Sequence, residues 1–528
     1  MMDHLTRLNC FLTIWQELLP DVTIGVDDNF FSLGGDSLLA AAIVKKIRGS
    51  TDLNLSISDI FEHPTIRELV HFDSAPKSDS APVYGRLNNS GFETRPSIRQ
   101  EELLNLIRSR PQLGMHRPTY ALYEVNGPIN TTLLAEALTL VVRKFSVLRS
   151  SFRQDGDDWI VSIRGANAVN CELRIIDGSN LDSSTIATII RREVFLVNES
   201  EDAHAFRAVL IMDTKEQRSQ LLICASHLIM DGRSASIIAH EIASQYSSEP
   251  SREIPECFYD FAFRQRAALD EGSLHSSMQF WKECISTFGV WPRVSIPTLL
   301  GRSEDHLVPA ASVTSTIRRD EWTSFHLRCQ EMGVTHYCGL LAAALCAIRE
   351  LGGEQDNDFG VVVILSGRSW PGCESIPGFF SNNASLGVGK IPQSWDATAV
   401  QVQSQVSSLI KHDVIPRDEI VRRLGRAEDA APMHPYVFFD FERTHDERHR
   451  LDEFTTMIED QSVEVDIDVR RYPGIFLVVR EDGDGGGILR CEYGIGEFDP
   501  KNAEGLVSEW AGTIRNQLLN GSRIPSHP

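Results

Sequence analysis

Apolar positions recur at helical spacing in the N-terminal part of the chain. Leu12, Trp15, Leu18 and Leu19 share one face of a first helix. Leu39, Ile43 and Ile47, at i, i+4 and i+8, line a second helix over residues 37–48. Residues 57–61 form a short third helix, and residues 65–72, opening after Pro64, a fourth. Four such helices predict a small all-α bundle. Residues 75–92 are rich in Ser, Pro, Asp, Asn and Gly and have no period, so they read as a linker after a first unit of residues 1–74. Beyond them the pattern alternates. Continuous apolar runs at 221–225 and 361–365 predict buried strands, and 131–142 and 234–246 predict amphipathic helices. Without regular βαβ units, this argues a mixed α/β or α+β body. Trp281 lies on a helical stretch expected to join two halves of that body.

Composition narrows the partners. The chain has 528 residues, 51 basic and 73 acidic, for a net charge of −22. That argues against a nucleic-acid groove and against an anionic membrane surface, and favours small molecules or other proteins. Residues 1–74 hold eleven acids and five bases. The 42% apolar and 23% charged content is that of ordinary globular material. At ~100–200 residues per domain the length suggests about three or four compact units, but the linker divides it into one small unit and one large body. No apolar run reaches the ~18 residues of a membrane span, and the start shows no cleavage-site pattern. The ten cysteines are scattered without a C-x-x-C pair, which predicts reduced thiols, no metal site and a cytoplasmic setting.

The segment Asp27-Asp-Asn-Phe-Phe-Ser-Leu-Gly-Gly-Asp-Ser37-Leu38 is the first with chemistry in it. Gly34 and Gly35 allow a tight loop. Asp36 and Ser37 then stand at a helix N-terminus, where they serve as a plain cap or present a site that favours a phosphate. Asn29-Phe-Phe-Ser-Leu-Gly-Gly-Asp-Ser-Leu38, followed by Ile60-Phe-Glu-His-Pro-Thr65, resembles the peptidyl carrier protein of nonribosomal peptide synthetases over residues 8–72. The resemblance implies that Ser37, flanked by Asp36 and Leu38, carries 4′-phosphopantetheine, installed by a phosphopantetheinyl transferase. Its thiol would hold an acyl group as a thioester. Gly35-Asp36-Ser37-Leu38 also matches the opening block of GDSL esterases, with Asp446 and His449 mimicking the closing block. The 412 residues between Ser37 and His449, and an acidic, polar approach to Gly34, weigh against that reading.

In the body, Leu221-Leu-Ile-Cys-Ala-Ser226-His227-Leu-Ile-Met-Asp231-Gly232-Arg-Ser234 reads as a strand, a loop carrying His227 and Asp231, and a helix. This resembles the HHxxxDG motif of the condensation-domain superfamily, with its chloramphenicol acetyltransferase-like fold. Blocks at 97–103, 144–152, 358–368, 378–382, 412–416 and 492–499 agree in order, so the resemblance spans roughly 95–520. It implies that His227 is the catalytic histidine, accepting a proton from the attacking group or orienting it. It also implies that Asp231 is structural and paired with Arg368, and that Gly232 permits a turn and close backbone approach. Two positions depart from the pattern. Ser226 replaces the first motif histidine, and Lys144-Phe145 stand where Arg-His is usual. An SHxxxD variant also resembles terminal condensation-like domains that release or cyclise a chain.

Epimerisation domains share the motif, but residues 364–370 offer no carboxylate for a second acid–base group and Ala235 stands where they tend to have Trp. His445-Asp-Glu-Arg-His449 has its glutamate one place too late for a zinc motif, and 481–487 reads as a hairpin turn. The expected architecture is a four-helix carrier followed by a mixed α/β pseudo-dimer of two chloramphenicol acetyltransferase-like lobes, at 93–272 and 273–528. The expected activity is transfer of a carrier-tethered acyl or peptidyl group to an amine or hydroxyl. Loading modules would act in trans, and an acceptor carrier protein or a small nucleophile would receive the chain. The other reading is a docking module that has lost catalysis through Ser226 and Phe145.

Overall fold

The computed structural model describes residues 4–20, 22–51, 53, 55–71, 90–109, 118–197, 206–213, 218–248, 257–288, 310–351, 360–370, 372–424, 436–442, 449–451, 455–459, 474–482, 485–496 and 498–521. The first unit contains α1 (His4–Leu18), α2 (Ser37–Ser50), α3 (Ile57–Glu62) and α4 (Ile66–His71). In α1 the buried face is Phe11, Ile14 and Trp15, while Leu12 and Leu18 lie only partly covered at its margin. Trp15, common to the expected and the observed face, packs edge-on against Phe30 at 5.2 Å inside the bundle. Ile43 and Ile47 of α2 are fully buried in the same core. Ser56 starts α3 through a capping box with Asp59.

Most of the expected linker lies outside the described residues, and Phe92 at its end already belongs to strand β1 (Phe92–Thr94). The body continues with α5 (Ile98–Ser109), β2 (Thr119–Asn126), α6 (Thr131–Lys144), β3 (Ser150–Asp155), β4 (Asp158–Ile163), β5 (Leu173–Asp177), α7 (Ser183–Leu196), β6 (Phe206–Asp213), β7 (Arg218–Ala225) and α8 (Gly232–Tyr246). After α9 (Phe258–Asp270) and α10 (His275–Phe288) come β8 (Ala310–Ile317), α11 (Arg319–Glu331), α12 (His336–Glu350), β9 (Gly360–Leu365), β10 (Asn382–Gly387), α13 (Trp395–His412) and α14 (Arg417–Leu424). The chain closes with β11 (Tyr436–Glu442), β12 (His449–Arg450), β13 (Thr456–Glu459), β14 (Gly474–Glu481), β15 (Gly487–Gly494) and α15 (Pro500–Gly521).

Two six-stranded mixed sheets organise the body, in the orders β12-β13-β2-β7-β6-β5 and β10-β9-β11-β14-β15-β8. The two-residue period of a strand explains why β7 is apolar throughout. Leu221, Ile223 and Ala225 face the core that α6 and α8 cover, and Leu222 and Cys224 face a second core under α7. In the second sheet, Val361, Val363 and Leu365 of β9 enter the main core while Val362 lies against Phe438 on the other face. Helix α12 is buried continuously from Cys338 to Ile348, packed between the sheet, α13 and α15. Among the described residues no single helix is long and apolar enough to cross a membrane.

The halves are interwoven rather than joined end to end. Trp281 belongs to the second half's core and donates to the His412 carbonyl at 2.9 Å. The helix that straddles the junction is α9. It places Phe258, Tyr259 and Phe261 in the first core and Leu269 in the second. An amphipathic pattern shows that a helix is covered, not by which core. The chain also returns from the second half to the first. Strand β13 pairs with β2 through Thr456↔Asn126 to Glu459↔Tyr123, and Cys373, Ile376 and Phe380 are buried in the first core.

The helical unit sits against the body through charge. Arg48 of α2 bonds Glu374 at 2.8 Å, both side chains largely covered, and Lys45 donates to Ser375 at 2.8 Å. Lys411 pairs with Glu62, and Ile410 packs on the helical core. Gly34, at φ +92°, meets the Gln330 side chain so closely that a Cβ would clash with it. Because the Arg48–Glu374 pair is mostly shielded from water, Arg48→Glu is expected to detach this face. Glu374→Arg on the same chain is expected to restore it, with a coupling of about 0.5–3 kcal/mol, read from hydrogen-exchange protection of the amides at 373–376.

Candidate active site

The site forms where β7 runs out. Antiparallel pairing sets Thr119 opposite Ala225, so Thr119 stands beside the loop that follows. Ser226 accepts the Ile229 N–H on its carbonyl at 3.0 Å and the Leu228 N–H on its hydroxyl at 3.3 Å. It therefore shapes the turn. From α5, Gln100 donates to the Leu228 carbonyl at 2.7 Å and pins the loop from outside. His227 lies partly covered between them. Its Nδ1 is 2.9 Å from the Met230 carbonyl and 3.0 Å from the Thr119 hydroxyl, which itself donates to Met230 at 2.8 Å. A carbonyl only accepts, so Nδ1 carries the proton and Nε2 is left with its lone pair.

Asp231 caps α8 and gathers four donors. Its Oδ1 accepts from Ser234 N–H at 2.8 Å and Ser234 O–H at 2.6 Å, and its Oδ2 accepts from Phe380 N–H at 3.1 Å. Arg368 bonds both oxygens through one nitrogen, at 2.8 and 3.1 Å. Its other terminal nitrogen donates to the carbonyls of Cys373 and Ile376 at 2.8 and 2.6 Å, and its guanidinium lies over the Phe380 ring. Burial works to raise the Asp231 carboxyl, yet the Arg368 charge and the Ser234 donors outweigh it and hold it below its ordinary value. The corner before Arg368 is built for glycine. Gly367 has φ +66°, and a Cβ there would fall 1.7 Å from the Phe380 carbonyl. Asp413 supports the same corner, accepting from Gly367 N–H at 3.0 Å and Asn382 at 2.9 Å. Burial pushes its carboxyl up to about 7.

The remaining expected residues fall in distinct places. Ser37 is the first residue of α2, after Asp36, whose side chain accepts the Leu39 N–H at 2.9 Å. Leu38 follows in the same turn. Gly232 does not serve the turn expected of it. It is exposed as the first residue of α8, its φ is outside the left-handed region, and a Cβ there would meet open space. Phe145 belongs to the first half's core, and Lys144 pairs with Glu241 at 2.6 Å. Of the esterase alternative, Asp446 lies outside the described residues, and His449 starts β12, paired with β13. At the expected hairpin, β14 and β15 pair antiparallel up to Glu481↔Gly487, and residues 483–484 lie outside the described residues.

Sequence reasoning missed Thr119, Ser234 and Phe379. Ser234 had a local signal, lying three residues after a capping Asp. Thr119 had none, because only the strand register brings it to His227.

Two outcomes follow from these contacts. Asp231→Asn leaves the buried Arg368 charge uncompensated and is expected to destabilise the body by about 3–5 kcal/mol in chemical denaturation. Glu102, on α5, is largely covered, and its desolvation raises its carboxyl to about 8, with the nearby Asp418 adding to the rise. A carboxyl raised in the folded state loses stability as pH climbs from its unfolded value to its folded one. The melting temperature of Glu102→Gln is therefore expected to gain on that of the unaltered protein between about pH 5 and about pH 8.

Comparison with known proteins agrees with this geometry. The profile of the condensation domain family matches residues 116–524, and that of the phosphopantetheine attachment site matches residues 11–72. Cyclosporin synthetase of Tolypocladium inflatum is 25% identical over 517 residues, covering 96% of this chain but 3% of its own length. Tyrocidine synthase 2 of Brevibacillus parabrevis is 23% identical over 516 residues, covering 96% of this chain and 14% of its own. The chain thus spans a small part of the length of these curated relatives. Among solved structures, the condensation domain of the monacolin K polyketide synthase superposes with a TM-score of 0.66 at 17% identity, over 82% of this chain and 99% of that one. The first condensation domain of the calcium-dependent antibiotic synthetase gives 0.65 at 15% identity, over 81% and 97%. With a bundle that matches the phosphopantetheine attachment site in front of it, and two interwoven lobes meeting at His227, the chain belongs to the condensation domain family.

Proposed function

We propose that this chain transfers an acyl or peptidyl group from its own carrier unit to an amine or hydroxyl, forming an amide or ester, with His227 as the proton acceptor. The observation that carries the reading is the hydrogen bond from His227 Nδ1 to the Met230 carbonyl. It leaves Nε2 as a basic nitrogen, able to take the proton from the attacking group or hold it in line. The apolar surroundings lower the imidazole below its ordinary value, with Arg99 acting in the same direction and Met230 and Asp231 against it. A lowered imidazole is neutral, and so basic, at neutral pH. Ser226 supports the loop and is not needed as a second base. The docking-only reading therefore draws no support from that departure.

Ser37 is the attachment residue in this reading. Its place at the head of α2 gives a phosphodiester the free N–H groups and favourable dipole of a helix N-terminus, and Gly34, at φ +92°, turns the preceding loop. The phosphopantetheine arm supplies a thiol that carries the acyl group as a thioester. A phosphopantetheinyl transferase would modify Ser37, synthetase modules acting in trans would load it, and an acceptor carrier or a small nucleophile would take the product.

Incubation with a phosphopantetheinyl transferase and coenzyme A is expected to add the mass of one phosphopantetheine, and Ser37→Ala to abolish the gain. With the arm charged by an acyl group, amines, alcohols and acceptor carriers are offered and transfer is followed by mass spectrometry. His227→Ala is expected to slow transfer by about 10²–10⁴-fold; transfer at an unchanged rate would remove His227 from the chemistry.

A further inference from the structure

Two side chains meet the His227 ring, and a third from a separate element backs one of them. Thr119, from β2, places its hydroxyl 3.0 Å from Nδ1 and shares the Met230 carbonyl with it. Phe379, from the segment that crosses over from the second half, sets its ring 4.5 Å from the imidazole at a tilt of 41°. Phe379 is 3% exposed, so its ring has little room to move. Arg99, from α5, lies with its guanidinium carbon 5.0 Å from the centre of the Phe379 ring. That guanidinium is fixed in turn, with Nε donating to the Ser381 carbonyl at 3.0 Å and Nη1 to Glu102 at 2.9 Å.

We infer that Thr119, Phe379 and Arg99 are positioning residues that hold the His227 ring in one orientation and one protonation pattern. The inference rests on the reading of His227 as proton acceptor. Thr119 acts on the tautomer. Its own proton goes to Met230, so its oxygen presents a lone pair to Nδ1 beside that carbonyl, and a proton on Nε2 would leave a bare Nδ1 facing two acceptors. Phe379 acts on orientation, since a buried ring against one side of the imidazole leaves few rotations open. Arg99 acts on charge, because a cation held against the Phe379 ring, one contact away from the imidazole, opposes a second proton.

The charged groups around the ring are few and fixed. Asp231 on the same loop favours protonation, but it is bound to Arg368 from the second half. On α5, Arg99 opposes protonation and is paired with Glu102. From the turn after α13, Asp413 faces Arg99. Strand β2 contributes the neutral Thr119 hydroxyl at this point.

The test observes the ring itself in the full chain. Histidine labelled with ¹³C at Cε1 and ¹⁵N in the ring is incorporated, and the His227 resonance is assigned by its loss in His227→Gln. The unaltered protein is expected to show a single Nδ1–H tautomer and a titration midpoint below that of free histidine. Thr119→Val is expected to give a mixture of tautomers, and Thr119→Ser to restore the single form. Arg99→Gln is expected to raise the midpoint, and Arg99→Lys to leave it low. Phe379→Leu is expected to remove the ring-current shift of His227 and broaden its signal. The remaining histidine signals show that each variant is folded. A wild-type midpoint and tautomer in both Thr119→Val and Arg99→Gln overturns the inference. The acyl-transfer assay run beside it separates the two claims. Full transfer by His227→Ala removes the catalytic reading, whereas His227-dependent transfer with an unresponsive ring removes the clamp alone. In that assay Arg99→Gln is expected to move the acid limb of the pH–rate profile to higher pH, a change that a merely structural role would not produce.

Discussion

The buried pair between Asp231 and Arg368 is the contact on which the rest of the site depends. Each partner comes from a different half, so the pair is at once a hydrogen-bond hub and the seam between them. Isolated charges in such a place cost several kcal/mol each. Here the cost is offset by satisfying nearly every lone pair and proton in reach: Ser234 and the Phe380 amide on the carboxylate, and the Cys373 and Ile376 carbonyls on the guanidinium. The same bonds fix the start of α8 and thereby the loop that carries His227. The family's aspartate is in this sense a structural residue, and its effect on chemistry runs through geometry.

That seam explains the value of otherwise odd local features. Gly367 is held in the left-handed region because the backbone of Phe380 passes too close for a side chain. Asp413, with its carboxyl pushed up to about 7, is kept where its two oxygens brace Gly367 and Asn382. Both belong to the second half, yet both serve a loop of the first. The positively charged face of α2 meets the turn at Glu374, only a few residues from Arg368. The carrier unit thus rests on the segment that the buried pair anchors.

Local periodicity made the elements legible. The helix read at 37–48 is Ser37–Ser50, and the apolar run at 361–365 lies within Gly360–Leu365, because a period of 3.6 or a run of β-branched residues is a property of neighbours along the chain. The motif also led directly to His227, Asp231 and Arg368. What stayed hidden depends on register or on the choice between two apolar environments. In α1, positions 11, 12, 14 and 18 are all apolar, and only the packing shows that 11 and 14 are buried with Trp15 while 12 and 18 lie at the margin. Trp281 faces a core, but nothing local says which. Thr119 reaches the site only because Thr119 pairs with Ala225. Gly232 looked like a turn residue because it follows the Asp, yet Asp231 already ends the loop and Gly232 begins the helix.

Strand β13 has a consequence for synthesis on the ribosome. The first half's central strand, Thr119–Asn126, waits for a partner that lies more than half the chain length downstream. Until that partner emerges, one side of the strand carries unpaired N–H and C=O groups along an open sheet edge, the kind of edge that recruits other chains. Closing it demands a contact of very long sequence separation, which is slow to form. The nascent first lobe is therefore the stage at which this protein is most exposed to aggregation and most in need of chaperone cover.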